Sequence, residues 1–463
     1  MSVLRAVSPI DGEVFCERPL ADAAAVGTTF DRAEAAFPVW RSVPLDERRA
    51  AMERFLEALR SEEERFVDEL ALQIGRPIRF GAGELAGVEE RTRAMCVLAE
   101  QGLADLEVPE KPGFRRFVRR FPVGPVLVMA PWNYPWLTAV NAIVPALLAG
   151  NPVILKHSSQ TPLVAEQFQR AFDAAGLPEG AFQHLHAGHE MTARMLGSGR
   201  VRAGVFTGSV EGGAAVEKAA AGQFIALGLE LGGKDPAWVR ADADLEATVP
   251  ALLDGVFFNS GQSCCGIERI YVHGDRMDEF VERAVAFTEA YVLGDPREQD
   301  TTLGPMLRPS AGDFVREQIA EAEAAGARTL VDSARFPRAA EGGVWTAPQL
   351  LVDVDHDMAL MQEENFGPVA GIMACASDEE ALARMNDSRY GLTASIWTQD
   401  IGLAERLGES IDTGTVFMNR ADYLDPYLVW TGTKDTGRGV SLSALGFDTF
   451  TRPRSFHLRE QVG

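Results

Sequence analysis

Short apolar runs alternate with amphipathic stretches along the chain. VGPVLVMAP (123–131), NPVILKHSS (151–159) and VRAGVFTGS (201–209) are apolar runs bounded by turn residues, as is typical of buried parallel strands. LTAVNAIVPALLAG suits a helix packed on the sheet between the first two runs, and another helix is predicted after the third. This rhythm over roughly 120–230 predicts an α/β fold with a doubly wound, dinucleotide-binding domain.

Two other segments extend this picture. DERRAAMERFLEALRSEEERFVDELAL (46–72) is predicted to form one amphipathic helix, with Met52 and Phe55 on its apolar stripe and Gly75 beyond its end. A second α/β block begins near Asp235 and continues to about residue 425. The pattern therefore predicts two α/β units in one chain.

Two segments alternate basic with aromatic or polar residues. FRRFVRRF (114–121) and DTFTRPRSFHLR (448–459) are predicted to be strands. Because the rest of the chain is acidic, these strands are expected to pair within one subunit or between subunits, in a small β element that supports a homodimer or homotetramer. The alternative is that both are solvated edge strands.

Composition narrows the classes of partner. The chain has 463 residues, enough for about two to three domains. Its net charge of −23 argues against nucleic-acid and membrane-surface binding. The five cysteines form no C-x-x-C pair, and the start of the chain has no long apolar stretch, so a cytoplasmic protein without structural disulfides or bound metal is expected.

Polar residues at strand ends are candidates for chemistry. In PWNYP, Asn133 either caps a turn or donates a hydrogen bond to an oxyanion. Lys156 and Ser159, in LKHSSQTP, are either solvated or bind a cofactor ribose or phosphate.

The next two candidates follow later apolar runs. FTGSVEGG (206–213) is either an ordinary turn or a phosphate-binding helix start. In ELGGK (230–234), Glu230 is either a surface residue or a base whose pKa is raised by its apolar surroundings.

Adjacent cysteines, Cys264 and Cys265, stand in NSGQSCCGIER (259–269). They could be small buried hydrophobes, and one could be a nucleophile. Metal binding by the pair is disfavoured, because adjacent side chains of an extended segment point to opposite faces and no histidine lies at a ligand-like spacing. The residues alone leave the other two possibilities open.

The ordered set of motifs resembles the aldehyde dehydrogenase superfamily. PWN, FTGS, ELGGK, GQ-x-C, EENFGP (363–368) and WTGTKDTGRG (430–439) occur in this order, and the resemblance covers almost the whole chain. It implies NAD(P)-dependent oxidation of a small-molecule aldehyde to a carboxylic acid through a cysteine thiohemiacetal and a thioester.

The resemblance also implies roles for individual residues. Cys264 would be the nucleophile, Glu230 the general base and Asn133 the oxyanion donor. The residues implied to bind NAD or NADP are Trp132, Lys156, Ser159, Gly208, Ser209, Leu231, Glu364 and Phe366. Cys265 would be either a packing residue or a redox guard that forms a disulfide with Cys264.

The implied organisation has three parts. The NAD(P)-binding domain would comprise residues 1–113 and 122–234, and the catalytic domain residues 235–425. Residues 114–121 and 426–463 would form the oligomerisation strands and arm.

Departures from the family pattern bear on specificity. KHSS replaces the usual KPSE, so Ser159 stands where a glutamate favours NAD, and acceptance of NADP is expected. Tyr134 and Trp430 are expected to wall the substrate pocket together with Trp136, Leu137 and Asn141. Because these residues include no Arg or Lys, a neutral or aromatic aldehyde is expected in preference to succinate semialdehyde. A CoA-acylating enzyme is the other alternative, although its relatives do not need the base Glu230.

Overall fold

Residues 2–460 are described by the computed structural model, so Met1 and the last residues of the predicted C-terminal arm lie outside the described residues. The α-helices are α1 Ala23–Trp40, α2 Leu45–Arg60, α3 Glu63–Ile74, α4 Gly81–Gly102, α5 Pro135–Leu148, α6 Pro162–Ala174, α7 His189–Leu196, α8 Val210–Ala220, α9 Leu245–Phe257, α10 Met277–Thr288, α11 Pro309–Ala324, α12 Ala359–Gln362, α13 Asp378–Asn386 and α14 Ile401–Gly408.

The strands are β1 Val3–Val7, β2 Val14–Pro19, β3 Leu106–Glu107, β4 Phe114–Pro122, β5 Val126–Ala130, β6 Val153–His157, β7 Phe182–His184, β8 Ala203–Thr207, β9 Ala226–Glu230, β10 Asp235–Val239, β11 Ile267–His273, β12 Arg328–Thr329, β13 Gln349–Val352, β14 Val369–Cys375, β15 Tyr390–Gly391, β16 Thr393–Trp397, β17 Thr415–Met418, β18 Thr433–Lys434, β19 Gly437–Arg438 and β20 Thr451–Arg459.

A six-stranded sheet has the order β19-β9-β8-β5-β6-β7. Strands β5 to β9 run parallel, and β19 pairs antiparallel with β9. Apolar residues of α2, α4, α5 and α6 pack with this sheet in one core, and those of α1, α7 and α8 pack in another. The predicted doubly wound domain is confirmed, and the carboxyl ends of its strands meet at one edge.

A second sheet of seven strands has the order β12-β13-β14-β11-β10-β16-β17. Its strands run parallel except β12, which is antiparallel to β13. Two apolar cores cover it, and α9 and α10 contribute to one of them. The predicted second α/β unit is therefore present. The exact domain boundaries stay a prediction.

The two basic strands pair with each other. Strand β20 runs antiparallel to β4 from Thr451 opposite Pro122 to Arg459 opposite Phe114, and β3 completes a three-stranded sheet. The Phe117 and Phe456 rings stack with centroids 4.6 Å apart. Pairing within one chain is thus confirmed, and such cross-strand aromatic pairs stabilise the ladder.

The segment 46–72 is two helices, so the prediction of one continuous helix is wrong. Helix α2 ends at Arg60, and α3 begins at Glu63. The Ser61 hydroxyl donates to the Ala58 carbonyl at 2.7 Å, which competes with helix continuation. Acidic residues then occupy the first turn of α3, where the helix dipole favours them. The predicted end at Gly75 is confirmed, since this residue adopts φ of 75°.

Two properties concern the described residues as a set. No helix among residues 2–460 is long and apolar enough to span a membrane. The same residues contain no group of three His, Cys, Asp or Glu side chains arranged to hold a metal ion.

Candidate active site

A cavity of about 710 Å³ lies where both α/β units meet. Helices α4 and α5, the residues preceding β11 and the loop after β17 form its walls. Cys264, Glu230, Tyr134 and Trp430 all line it, as the sequence predicts for a nucleophile, a base and two pocket residues. A volume of this size suits an organic molecule rather than a single ion.

Cys264 lies in a tight turn between α9 and β11. The Gly266 N–H donates to the Ser263 carbonyl at 3.2 Å, so both cysteines occupy the centre of the turn. Just before it, Gly261 adopts φ of 70°, and a Cβ atom there would clash with the Gly367 carbonyl oxygen. A glycine is therefore needed to press this turn against the loop that carries Glu364 and Phe366.

Asn133 is buried beside the same turn. Its side-chain Nδ2 donates to the Gln262 carbonyl at 3.2 Å. The backbone carbonyl of Asn133 accepts hydrogen bonds from Arg76 and from Asn259. The Asn133 carboxamide is thus bound to Gln262, which precedes Cys264 by two residues in the chain. Its second N–H makes no hydrogen bond to the described residues.

Glu230 ends β9 and lines the cavity. The Thr207 hydroxyl donates to Glu230 Oε2 at 3.1 Å. Burial raises the pKa of Glu230, while hydrogen bonding and the positive charge of Arg91 oppose this rise. A carboxylate with a raised pKa is a stronger base than an exposed one, which suits proton abstraction from water.

The predicted cofactor residues gather at the carboxyl edge of the first sheet. Lys156 is the penultimate residue of β6, and its largely buried ammonium has no partner among the described side chains. Ser209 caps α8 by accepting a hydrogen bond from the Gly212 N–H at 3.1 Å, and Gly208 precedes it. Ser159 lies exposed in the turn after β6. The N-terminus of α8 suits a phosphate of a dinucleotide, and Lys156 offers a positive charge at the same edge of the sheet.

Trp132, Glu364 and Phe366 meet in a smaller cavity of about 340 Å³. The Trp132 and Phe366 rings lie edge to face with centroids 5.7 Å apart. Glu364 Oε1 accepts a hydrogen bond from the Gly233 N–H at 3.0 Å, and burial raises the pKa of Glu364 to about 8. Leu231 lines the larger cavity instead.

A buried ion pair that the motifs do not predict holds this region together. Lys234 Nζ lies 2.7 Å from Glu268 Oε2 and 2.8 Å from Asn365 Oδ1. The N–H groups of Asn365 and Phe366 donate to the same Glu268 carboxylate. Glu268 therefore fixes the loop that carries Glu364. A charged residue inside the apolar strand IERIYVH was the available sequence signal.

Arginines line the cavity, which corrects the premise that the pocket has none. Arg76, Arg79 and Arg91 reach it from α4 and the segment before that helix. These arginines lie 40 residues or more before PWNYP in the chain and far from WTGTKDTGRG, so no local pattern indicates that they reach the pocket. Leu137 and Asn141 line the cavity as expected, whereas Trp136 is absent from its lining.

Trp136 packs in the core instead. Its ring stacks on Phe66 at a centroid separation of 3.8 Å, and it is 1% exposed. Successive residues at the start of α5 point in different directions, so Tyr134 and Leu137 face the cavity while Trp136 faces inward.

Asp422 is a further cavity residue without a sequence signal. Its Oδ1 accepts hydrogen bonds from Cys265 Sγ at 2.8 Å and from Ser263 Oγ at 3.2 Å, and its Oδ2 lies 3.4 Å from the Tyr134 hydroxyl. Burial raises the pKa of Asp422. The loop after β17 brings this carboxylate to Cys265, and only the folded chain reveals the contact.

This combination of a doubly wound sheet, a second α/β unit and a thiol beside a buried base defines a class of two-domain oxidoreductase. The profile of the Aldehyde dehydrogenase family matches residues 2–456. The chain belongs to the aldehyde dehydrogenase family. The family, the fold class and the enzyme class predicted from the sequence are thereby confirmed, whereas the roles of single residues stay predictions.

Individual relatives agree with this membership. Succinate semialdehyde dehydrogenase [NAD(P)+] Sad from Escherichia coli K12 is 33% identical over 447 residues, covering 96% of this chain and 95% of that protein. Succinate-semialdehyde dehydrogenase [NADP(+)] from Deinococcus radiodurans is also 33% identical, covering 97% and 93%. The crystal structure of PnpE in complex with nicotinamide adenine dinucleotide superimposes with a TM-score of 0.94 at 28% identity, covering 100% of this chain and 95% of that one.

Proposed function

We propose that this protein oxidises an aldehyde to the carboxylic acid with NAD(P)+, using Cys264 as nucleophile, Asn133 as oxyanion donor and Glu230 as general base. The observation that carries the proposal is that Cys264 and Glu230 line one cavity while Asn133 is fixed beside the Cys264 turn. A nucleophile, a donor and a base at one place are what acyl chemistry through a thioester requires.

The first half of the reaction uses Cys264 and the donors around it. The Cys264 sulfur adds to the aldehyde carbon, and the oxygen that becomes negative receives hydrogen bonds from Asn133 Nδ2 and the Cys264 N–H. Each well-aimed donor of this kind contributes roughly 3 kcal/mol to the transition state. A bound NAD(P)+ supplies the hydride acceptor for the oxidation, which leaves a thioester on Cys264.

The second half uses Glu230. Its carboxylate takes a proton from water, the water oxygen adds to the thioester carbon, and the acid is released as the Cys264 thiolate re-forms. The Thr207 hydroxyl holds the Glu230 carboxylate in place during this step. A base in the cavity supports hydrolysis over the alternative of acyl transfer to coenzyme A.

Cofactor binding involves the residues at the sheet edge. Lys156, Gly208 and Ser209 would bind the adenosine ribose and the phosphates, with Ser159 in the turn after β6. Leu231 would contact the cofactor from the larger cavity. Trp132, Glu364 and Phe366 would hold the nicotinamide ribose and ring. Since Ser159 contributes no negative charge, a 2′-phosphate is not repelled there, and NADP is expected to be accepted. Relatives named for NAD(P)+ and NADP(+) support this proposal.

Two substrate classes compete. Phe80, Tyr134, Phe258 and Trp430 line the cavity and support the neutral or aromatic aldehyde predicted from the sequence. The relatives from Escherichia coli and Deinococcus radiodurans are named for succinate semialdehyde, which supports an aldehyde with a carboxylate. The basic sheet of β4 and β20, in which β20 is largely exposed and β4 partly exposed, supports self-association as a homodimer or homotetramer.

A trapping experiment tests the mechanism. In Glu230→Gln, we expect a stoichiometric burst of NAD(P)H followed by turnover slowed about 100-fold, because acylation occurs without the base. Mass spectrometry should locate the acyl group on the peptide that carries Cys264. The wild-type protein should release free acid without coenzyme A. An acyl group on another residue, or no aldehyde oxidation by the wild-type protein, would refute the proposal.

A further inference from the structure

Arg91 is a buried cation in the cavity wall. It lies on α4, and its side chain is among the buried charged residues at 8% exposure. Arg91 Nη1 donates to the Leu137 carbonyl at 3.0 Å and to Asn141 Oδ1 at 3.2 Å. Both acceptors are neutral, and no carboxylate among residues 2–460 lies within ion-pair distance of this guanidinium. No carboxylate pairs with it directly, although the negative charges of Glu84, Glu230 and Glu90 act on it at longer range.

The remaining Arg91 donors face the open space. Nε and Nη2 make no hydrogen bond to the described residues, and Arg91 lines the cavity together with Cys264 and Glu230. Burying a charge without a partner is costly, so an anion that enters the cavity gains strongly by pairing with it. A carboxylate matches the guanidinium geometry through two parallel hydrogen bonds.

The other cavity arginines are less suited to this task. Arg76 is fully engaged, because it forms an ion pair with Glu84, donates to the Asn133 carbonyl and stacks on the Tyr134 ring. Arg79 is exposed at the rim, where it donates to the Gln299 carbonyl at 3.4 Å. Arg91 alone among these three combines burial with free donors.

The acidic residues of the cavity are mostly occupied. Glu84 is paired with Arg76 and also accepts from the Trp136 N–H. Asp422 accepts from Cys265 and Ser263, and Glu90 accepts from the Tyr423 hydroxyl. Glu230 and Asp254 also line the cavity, so a substrate carboxylate is repelled by these acidic groups and attracted by Arg91.

We infer that Arg91 is the specificity-determining residue of the cavity, and that it binds a carboxylate at the end of the substrate remote from its aldehyde group. The substrate class is thus an oxo acid. This inference rests on the proposed function, because it assumes that the aldehyde carbon reacts at Cys264. The apolar walls then pack against the chain or ring that joins the two ends.

Paired substrates test this assignment. Succinate semialdehyde and butanal share a four-carbon chain and differ in the terminal carboxylate, so the ratio of their kcat/KM values isolates its recognition. We expect a ratio of at least about 100 in the wild-type protein, falling about 100-fold in Arg91→Gln, mainly through KM for the oxo acid. Arg91→Lys should recover part of the ratio, because it keeps the charge but loses the two-pronged geometry.

Control measurements separate specificity from damage to the fold. Arg93 lies on the same helix, pairs with Glu89 and is absent from the cavity lining, so Arg93→Gln should leave the ratio within about threefold of wild type. Succinate should inhibit the wild-type protein competitively against either aldehyde, and this inhibition should weaken in Arg91→Gln.

The possible failures are distinguishable. A wild-type ratio below about three, or a folded Arg91→Gln with an unchanged ratio, overturns the role of Arg91 while aldehyde oxidation stands. If the wild-type protein oxidises neither aldehyde nor any aromatic aldehyde, the proposed function itself fails. If Arg91→Gln does not fold, Arg91→Lys carries the test, and an unchanged ratio in that variant overturns the role of Arg91.

Discussion

The Cys264 thiol faces a cavity with a hydrogen-bond donor and a base, whereas the Cys265 thiol is buried against an acid. Cys264 is partly exposed and shares its cavity with Glu230. Cys265 is 2% exposed, and its Sγ lies 2.8 Å from Asp422 Oδ1. The two residues are chemically identical and adjacent, so their environments alone separate their roles.

The electrostatic consequences differ in the same way. The neighbouring Cys264 thiol, burial and the negative charge of Asp422 together raise the pKa of Cys265 well above that of a free thiol. Cys265 therefore stays protonated and serves as a donor to Asp422. The difference shows that a turn can present one residue to a substrate and fix the next one in the protein interior.

The largest effect expected from this comparison is on catalysis. Cys264→Ala should lower kcat by at least about 1,000-fold, because no nucleophile remains to form the thioester. Cys265→Ala should keep kcat/KM within about fivefold of wild type, since Asp422 retains Ser263 and Tyr134 as donors. Steady-state NAD(P)H formation measures both. Equal losses in the two variants would contradict the asymmetry.

A smaller loss of kcat is expected when Asn133, the hydrogen-bond donor beside Cys264, is replaced. Asn133→Ala removes the carboxamide that is fixed to the Gln262 carbonyl, and kcat should fall by roughly 100-fold to 1,000-fold. Ser263→Ala removes a donor to Asp422 on the Cys265 side and should change kcat by less than about fivefold. Pre-steady-state measurement of the NAD(P)H burst checks whether acylation is the step affected.

Much of this arrangement was predictable from the chain. Asn133 follows the apolar strand β5, and Lys156 lies near the carboxyl end of the apolar strand β6. Parallel strands bring their carboxyl ends to one edge of the sheet, so these residues were expected to lie at the same edge. Local patterns also predicted a turn after Glu230 and a turn around Cys264, and Glu230 is indeed the last residue of β9 while Cys264 lies in a turn. Once the ordered motifs indicated a family, their convergence on one site followed.

The site residues that the sequence did not predict are those whose role depends on contacts between segments far apart in the chain. Arg91 lies on a helix whose sequence shows ordinary charge alternation, and only its packing on α5 makes it a buried cation. Asp422 is in a loop without regular structure, where it adopts φ of 48°. No local pattern predicts which residues such loops approach, because that depends on how the two α/β units pack.

The pH dependence of kcat tests whether the base is Glu230, near Cys264, or Asp422, which contacts Cys265. Burial raises the pKa of Glu230, and only its ionised form accepts a proton from water, so kcat for hydrolysis should fall as pH decreases through that raised pKa. The fall should disappear in Glu230→Gln, where turnover is slow at every pH. Asp422→Asn should leave the position of this limb unchanged. If the acidic limb of the pH profile shifts in Asp422→Asn instead, the base is Asp422 and not Glu230.

The smallest expected effect concerns oxidation. Peroxide converts the Cys264 thiolate to a sulfenic acid, and attack by a Cys265 thiolate would then form a Cys264–Cys265 disulfide and release water. Because the neighbouring Cys264, burial and the negative charge of Asp422 favour the protonated form of Cys265, this second step should be slow in the wild-type protein, and dimedone should label the sulfenic acid at Cys264.

Asp422→Asn removes the negative charge beside Cys265, so its thiolate should form more readily and the disulfide should appear several-fold faster. Peptide mass spectrometry after timed peroxide exposure measures labelled Cys264 against the disulfide. Combining Asp422→Asn with Cys265→Ser should restore labelling, which controls for altered access to Cys264. Equal labelling in the wild-type protein and Asp422→Asn would show that Asp422 does not restrain Cys265, and the contrast between the two thiols would then rest on burial alone.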